Sequence, residues 1–155
     1  MTWSMHTATM TLRPTMLLDV NILLALSWDQ HIHHNAAHAR FSELKSWSTC
    51  SVTEAGLLRL LLTDKVVGRK VTGSEALGQL SAIREVPGWS YLADSSSLAA
   101  PLIDTRVLMG RRQVTDLQLV NLAATHDTRL ATFDSALRSA LTPSDRNLVQ
   151  VWTAQ

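Results

Sequence analysis

The hydrophobic and polar positions change rhythm repeatedly along this chain, and each change marks an element. Met16 opens MLLDV, a short apolar run of strand length. Residues 30–45 (QHIHHNAAHARFSELK) carry helical spacing, and WSTCS at 47–51 reads as a strand. SVTEAGLLRLLLT predicts a helix opened at Ser51, and TGSEALGQLSAIRE predicts another near 72–85. WSYLA at 89–93 fits a strand, followed by a short helical piece near 98–105 and the polar loop MGRRQ at 109–113. TDLQLVNLAATH predicts a helix over 116–126 and RLATF a strand over 129–133. DSALRSAL then reads as a helix and NLVQVW as a last strand over 147–152. Strands alternating with helices predict an α/β fold with a mainly parallel sheet.

The 155 residues give room for one domain with a proper core, expected over 16–152. Residues 1–15 show no clean periodicity and are expected to form a disordered or loosely attached arm. No secretory signal is evident at the start, and no apolar run approaches the roughly 18 residues needed to cross a bilayer, so no membrane association is expected. The lone Cys50 rules out an internal disulfide framework and suits a reducing cytoplasm; in a strand-like run it reads as a small buried hydrophobe.

Only 17% of the residues are charged, against roughly 25% in an average soluble protein. That shortage, with the nearly all-apolar stretch Gly56–Leu62, predicts burial against a second copy of the chain or another protein, unless the core alone absorbs the helix. A net charge of +1 says little by itself. If four of the 13 acids converge on one site, 14 basic residues face nine remaining acids, and the rest of the chain carries +5.

Four acids occupy equivalent places. Asp19 ends the first strand, Glu54 lies in the first turn after the second, Asp116 opens a helix, and Asp134 follows RLATF. In an open α/β sheet, strand ends and helix starts share the edge where ligands bind. Each acid also has a structural reading. Ser51 with Glu54 has capping-box spacing, as has Thr115 with Gln118. Asp116 suits the positive end of a helix, and Asp134 is a natural N-cap. Asp19 resists such a reading most, because it interrupts the apolar stretch MLLDVNILLAL, where an ionised carboxylate is costly without a cation or several hydrogen bonds. Oxygen donors without a Cys/His pattern describe a Mg²⁺ or Mn²⁺ site.

LLDVNILLAL (17–26), SVTEAGLLRLL (51–61), GRRQVTDLQLVNLAATH (110–126) and RLATFD (129–134) together resemble the PIN-domain family, in particular its VapC-type toxins. The resemblance runs from about Met16 to Trp152. It implies a three-layer fold, a parallel sheet flanked by helices, and a divalent-metal endoribonuclease acting on structured RNA such as tRNA or rRNA. It also implies a small antitoxin that covers the acidic site. On this chain the family's metal-binding and catalytic acids fall on Asp19, Glu54, Asp116 and Asp134, with Asn21 and Thr132 at the accompanying polar positions. The rival within the fold is a catalytically inactive module that binds RNA or protein and uses its acids only as caps.

The remaining polar and aromatic residues have plainer readings. Arg111 and Arg112 precede Asp116 and are candidates for phosphate contact, or else an ordinary solvated loop. His31, His33, His34 and His38 fit surface or capping positions better than a zinc site. His126 closes a helix, and Asp127 begins the turn after it. The five tryptophans suit core or rim packing. A phosphorelay receiver would need a late lysine, and none follows Lys70; a haloacid-dehalogenase-type phosphatase would need an aspartate where Asn21 stands.

Overall fold

The computed structural model describes residues 15–153, so the expected arm over 1–15 lies, apart from Thr15, outside the described residues. The strands are β1 (Met16–Leu18), β2 (Trp47–Cys50), β3 (Trp89–Leu92), β4 (Arg129–Thr132) and β5 (Val149–Val151). The helices are α1 (Val20–Ser27), α2 (His34–Ser42), α3 (Ser51–Leu61), α4 (Asp64–Val67), α5 (Gly73–Arg84), α6 (Val114–Thr125) and α7 (Ser135–Ala140). The sheet runs β3-β2-β1-β4-β5, and every neighbouring pair is parallel.

Side chains alternate across a strand, and β1 has apolar partners on both faces. Leu17 packs with Leu117, Leu130 and Val149 beneath α6 and α7. Met16 and Leu18 point the other way, to Ile22, Trp47 and Leu57 beneath α1 and α3. A parallel strand covered on both sides must be apolar throughout, which is why three residues suffice to seed the middle of the sheet. Cys50 is fully buried in the first cluster, as its strand position predicts.

The stretch after β1 shows no break in hydrophobicity, yet α1 starts there at Val20. Asp19 makes the break: its backbone is extended (φ −67°, ψ 159°) and its carboxylate accepts the Val20 N–H at 2.7 Å. The helix then buries Ile22, Leu23, Leu24 and Ala25. Its last carbonyls are taken by the histidines of α2. His34 Nδ1 donates to Ala25 O at 2.7 Å, and His38 Nε2 donates to Leu26 O at 3.0 Å. Those rings therefore join two helices.

One expectation needs correction. The piece near 98–105 is not an α-helix; only Thr105–Val107 winds, as a 3-10 turn. Pro101 lacks an N–H for a helix, and buried Asn121 of α6 claims the neighbouring backbone. Its Oδ1 accepts Leu102 N–H at 2.8 Å and its Nδ2 donates to Ser97 O at 3.3 Å. The apolar stretch of α3 has one side in the core, where Leu57 and Leu61 are buried and Leu58 and Leu60 pack against it, while Leu62 just beyond the helix stays half exposed.

Gly88 sets the approach of edge strand β3. It adopts φ +91°, its carbonyl accepts Trp47 N–H at 3.0 Å, and a Cβ there would collide with the Lys45 carbonyl oxygen. Gly68 also has positive φ (+73°) but faces open space. Gly68→Ala should cost about 1 kcal/mol, the left-handed penalty alone. Gly88→Ala should cost roughly 3 kcal/mol or more, because backbone must also move. Equal losses in chemical denaturation would refute the steric account.

Candidate active site

The chain lays β1, β2 and β3 to one side, then returns to place β4 and β5 on the other. The reversal falls between β1 and β4, so the crevice beyond their carboxyl ends is a topological switch point. Asp19 follows β1 there, and Thr132, Phe133 and Asp134 follow through from β4. The Asp19 N–H donates to Ala131 O at 2.9 Å, carrying the ladder up to the carboxylate itself.

Thr132 is the hub. Its buried hydroxyl donates to Asp19 Oδ2 at 2.7 Å, and accepts from Asn21 Nδ2 and the Asp134 N–H, each at 3.1 Å. Asn21 Oδ1 also accepts the Phe133 N–H at 3.4 Å. A threonine hydroxyl has one proton and two lone pairs, and all three are in use. The two polar positions that accompany the acids thus fix the distance between β1 and β4 and the orientation of Asp19.

Asp19 is nearly buried, and its pKa is raised. Desolvation is the main cause, the bonds from Thr132 and Val20 oppose it, and the Asp134 charge adds to it. Asp116, half buried in the first turn of α6, is pushed up to about 6 by desolvation first, then by Asp19 and by Asp134. These three carboxylates therefore feel one another. None forms an ion pair with a Lys or Arg among the described residues.

The capping readings divide. Asp134 is a true N-cap: its Oδ1 accepts Ala136 and Leu137 N–H at 2.9 and 3.2 Å. Glu54 is not one, because Thr53 takes that role, accepting the Cys50 N–H at 3.0 Å. Asp116 takes no capping bond, and the expected Thr115–Gln118 box is not made; Gln113 instead closes the preceding turn, accepting the Met109 N–H at 2.7 Å.

Glu54 sits at the same edge, buried in the first turn of α3, but it keeps its own company. Thr49 Oγ1 donates to Oε2 at 3.1 Å, and Arg84 lies 3.7 Å from Oε1. Arg84 and Thr49 are not legible as site neighbours in the sequence, since they reach Glu54 from α5 and β2, and Trp89 of β3 reaches only Thr49. Arg111 and Arg112 occupy an exposed 3-10 turn running directly into α6, without a bond to the acids.

Among the described residues no three His, Cys, Asp or Glu side chains already form a metal cage. The chemistry of the donors nevertheless fits a hard cation. They are carboxylates only, three are mutually repelling, and among the described residues no basic side chain neutralises those three. Asp19, Asp116 and Asp134 are the residues that could hold one, with Glu54 as a fourth donor.

Fold and site together define a three-layer parallel α/β protein with an acidic crevice at its switch point. The PIN domain model matches residues 16–140, and the chain belongs to the PIN domain family. It is similar to Ribonuclease VapC38 of Mycobacterium tuberculosis, 42% identical over 123 residues, covering 78% of this chain and 86% of that protein. Ribonuclease VapC39 of the same species is 39% identical over 130 residues, covering 79% and 91%. Among solved structures, the crystal structure of Mycobacterium tuberculosis VapC20, a sarcin–ricin loop cleaving toxin, superposes with a TM-score of 0.57. It is 13% identical and covers 81% of this chain and 95% of that one, a likeness of fold.

The raised pKa of Asp116 has a sign that melting can read. In the folded state it holds its proton up to about pH 6, whereas in the unfolded chain it ionises near 3.8. The native state thus binds more protons between those values, and stability falls as pH rises through that window. Asp116→Asn should stabilise the metal-free protein at pH 7–8 by roughly 1–2 kcal/mol, allowing for solvent screening of a half-exposed group. The gain should vanish near pH 4. A mutant less stable than wild type at pH 8 would mean that Asp116 is a structural cap.

Proposed function

We propose that this protein is a Mg²⁺- or Mn²⁺-dependent endoribonuclease toxin that hydrolyses phosphodiester bonds of structured RNA and is neutralised by a small antitoxin. The observation that carries the reading is the set of three coupled carboxylates at the sheet's switch point, Asp19, Asp116 and Asp134, without a basic partner among the described residues. Similarity to VapC ribonucleases supports RNA as substrate and an antitoxin as partner. That VapC20, which shares the fold, is a sarcin–ricin loop cleaving toxin supports a structured target such as tRNA or rRNA.

When bound, the cation supplies Lewis acidity, lowering the pKa of water and offsetting charge on the phosphate under attack. The chain's residues do the rest. Thr132 and the Val20 N–H hold the two oxygens of Asp19 in fixed directions, a support that keeps ligand geometry reproducible. Both capping bonds of Asp134 end on Oδ1, leaving Oδ2 for the cation. Asp116, ionised above about pH 6, adds charge where the phosphodiester must be met. Arg111 and Arg112, exposed just before α6, would take neighbouring phosphates of the strand.

Cleavage of purified tRNA and rRNA tests the reading. Wild type should cut in Mg²⁺ or Mn²⁺ and stop in EDTA. Asp116→Asn should lose at least about a hundredfold in rate while keeping the wild-type circular dichroism spectrum, since asparagine fits a first helical turn. Activity should also fall as pH drops through about 6, because protons then compete with the cation at Asp116. Cutting that persists in EDTA, or in the Asp116→Asn protein, would end the metal-dependent reading.

A further inference from the structure

Beside Glu54, at the edge of the sheet, the Arg84 guanidinium lies over two aromatic rings. Its guanidinium carbon is 4.1 Å from the Trp89 ring centroid and 5.6 Å from that of Tyr91. Trp89 and Tyr91 are two apart on β3 and so share one face of the edge strand. The indole is itself anchored: Trp89 Nε1 donates to Thr49 Oγ1 at 2.9 Å, and Thr49 donates on to Glu54 Oε2 at 3.1 Å. Arg84 closes the circuit with its 3.7 Å approach to Glu54 Oε1.

A circuit of this kind could simply staple α5 to β3. Its arrangement argues for more. The Arg84 side chain is 44% exposed, its ion pair with Glu54 is long, and among the described residues its guanidinium makes no hydrogen bond. A guanidinium presents five donors in a rigid fork, so most of that capacity faces outward. Stacking restrains the group and lowers the entropy lost when an anion arrives. Tyr91 is 45% exposed, so its ring is accessible where a base could stack. A fixed guanidinium beside an open aromatic ring is the chemistry that holds a nucleic-acid strand by phosphate and base.

We infer that Arg84 and Tyr91, braced by Trp89, form a substrate subsite that grips one phosphate and one unpaired base of the RNA next to the acidic crevice. The inference rests on the ribonuclease reading and names where that enzyme holds its strand. Glu54 would be the resting partner of Arg84, and a phosphate, meeting the fork at two points, would replace a single long ion pair.

The test is binding of a fluorescein-labelled, random-sequence, single-stranded 20-nucleotide RNA pool across a salt series in EDTA. Where affinity is too weak to read, KM for cleavage in Mg²⁺ replaces it. Arg84→Ala should weaken binding and reduce the slope of log affinity against log salt by about 0.7, the contribution of one single-strand phosphate. Tyr91→Ala should lose about tenfold in affinity with the slope unchanged, as a stacking contact would. Arg84→Lys should keep the slope and recover part of the affinity. Melting should move little in Tyr91→Ala, whose ring is half exposed, and fall in Arg84→Ala, which leaves buried Glu54 without its counter-charge, so affinities are compared at a temperature where every variant is folded. If wild type cleaves RNA while Arg84→Ala and Tyr91→Ala match it in affinity and slope, the subsite is refuted and the circuit is a staple. If wild type neither binds nor cleaves RNA, the ribonuclease reading falls, and the subsite with it.

Discussion

Burial of neighbouring carboxylates at one edge of the sheet is the constraint on which the rest of this structure depends. A parallel sheet sends the carboxyl ends of all its strands to one edge, and the order β3-β2-β1-β4-β5 puts two of those ends, from β1 and β4, side by side at the switch point. Asp19 and Asp134 follow those strands, and α6 brings Asp116 to them. Desolvation first, and the neighbouring charges after it, push the pKa values of Asp19 and Asp116 upward. A domain of this size has only a small margin of stability. Such a cost persists because the surrounding packing fixes the acids, and because a cation or the positive charge of a partner can remove it.

That fixing is local and specific. Thr132 is inaccessible to solvent, and its hydroxyl meets Asp19, Asn21 and the Asp134 N–H at once. Removing the oxygen would leave donors without partners in a buried place, a penalty of about 1–3 kcal/mol for each group stranded. The same three bonds set how β1 and β4 end relative to each other. Stability and site geometry are therefore the same structure at this point. Two clusters of apolar side chains, one on each face of β1, supply the rigidity that holds it.

The sequence made the strands, most of the helices and the four acidic positions readable, because these depend on local periodicity and on helix starts. Five strand runs and the helices α3, α5, α6 and α7 fall where hydrophobic spacing put them. It hid α1, since LLDVNILLAL is apolar on both sides of Asp19 and the strand-to-helix break is made by a single carboxylate accepting its neighbour's N–H. It also misplaced a helix near 98–105, where the long-range grip of Asn121 outweighs local propensity. The Ser51–Glu54 spacing looked like a cap, yet tertiary partners from β2 and α5 claim Glu54 instead. The last two depend on contacts between elements, which periodicity cannot carry.

The acids are not treated alike, and the difference has a physical logic. Glu54, as buried as Asp19, has a guanidinium at 3.7 Å and a hydroxyl at 3.1 Å. Among the described residues Asp19 has two hydrogen bonds but no counter-charge, and Asp116 has neither a capping bond nor a basic partner. An arginine against the three aspartates would cancel the charge on which the proposed cation binding rests. An arginine against Glu54 instead supplies that buried carboxylate with a counter-charge, and the 44% exposure of the Arg84 side chain and the 3.7 Å separation leave the guanidinium open to a second anion.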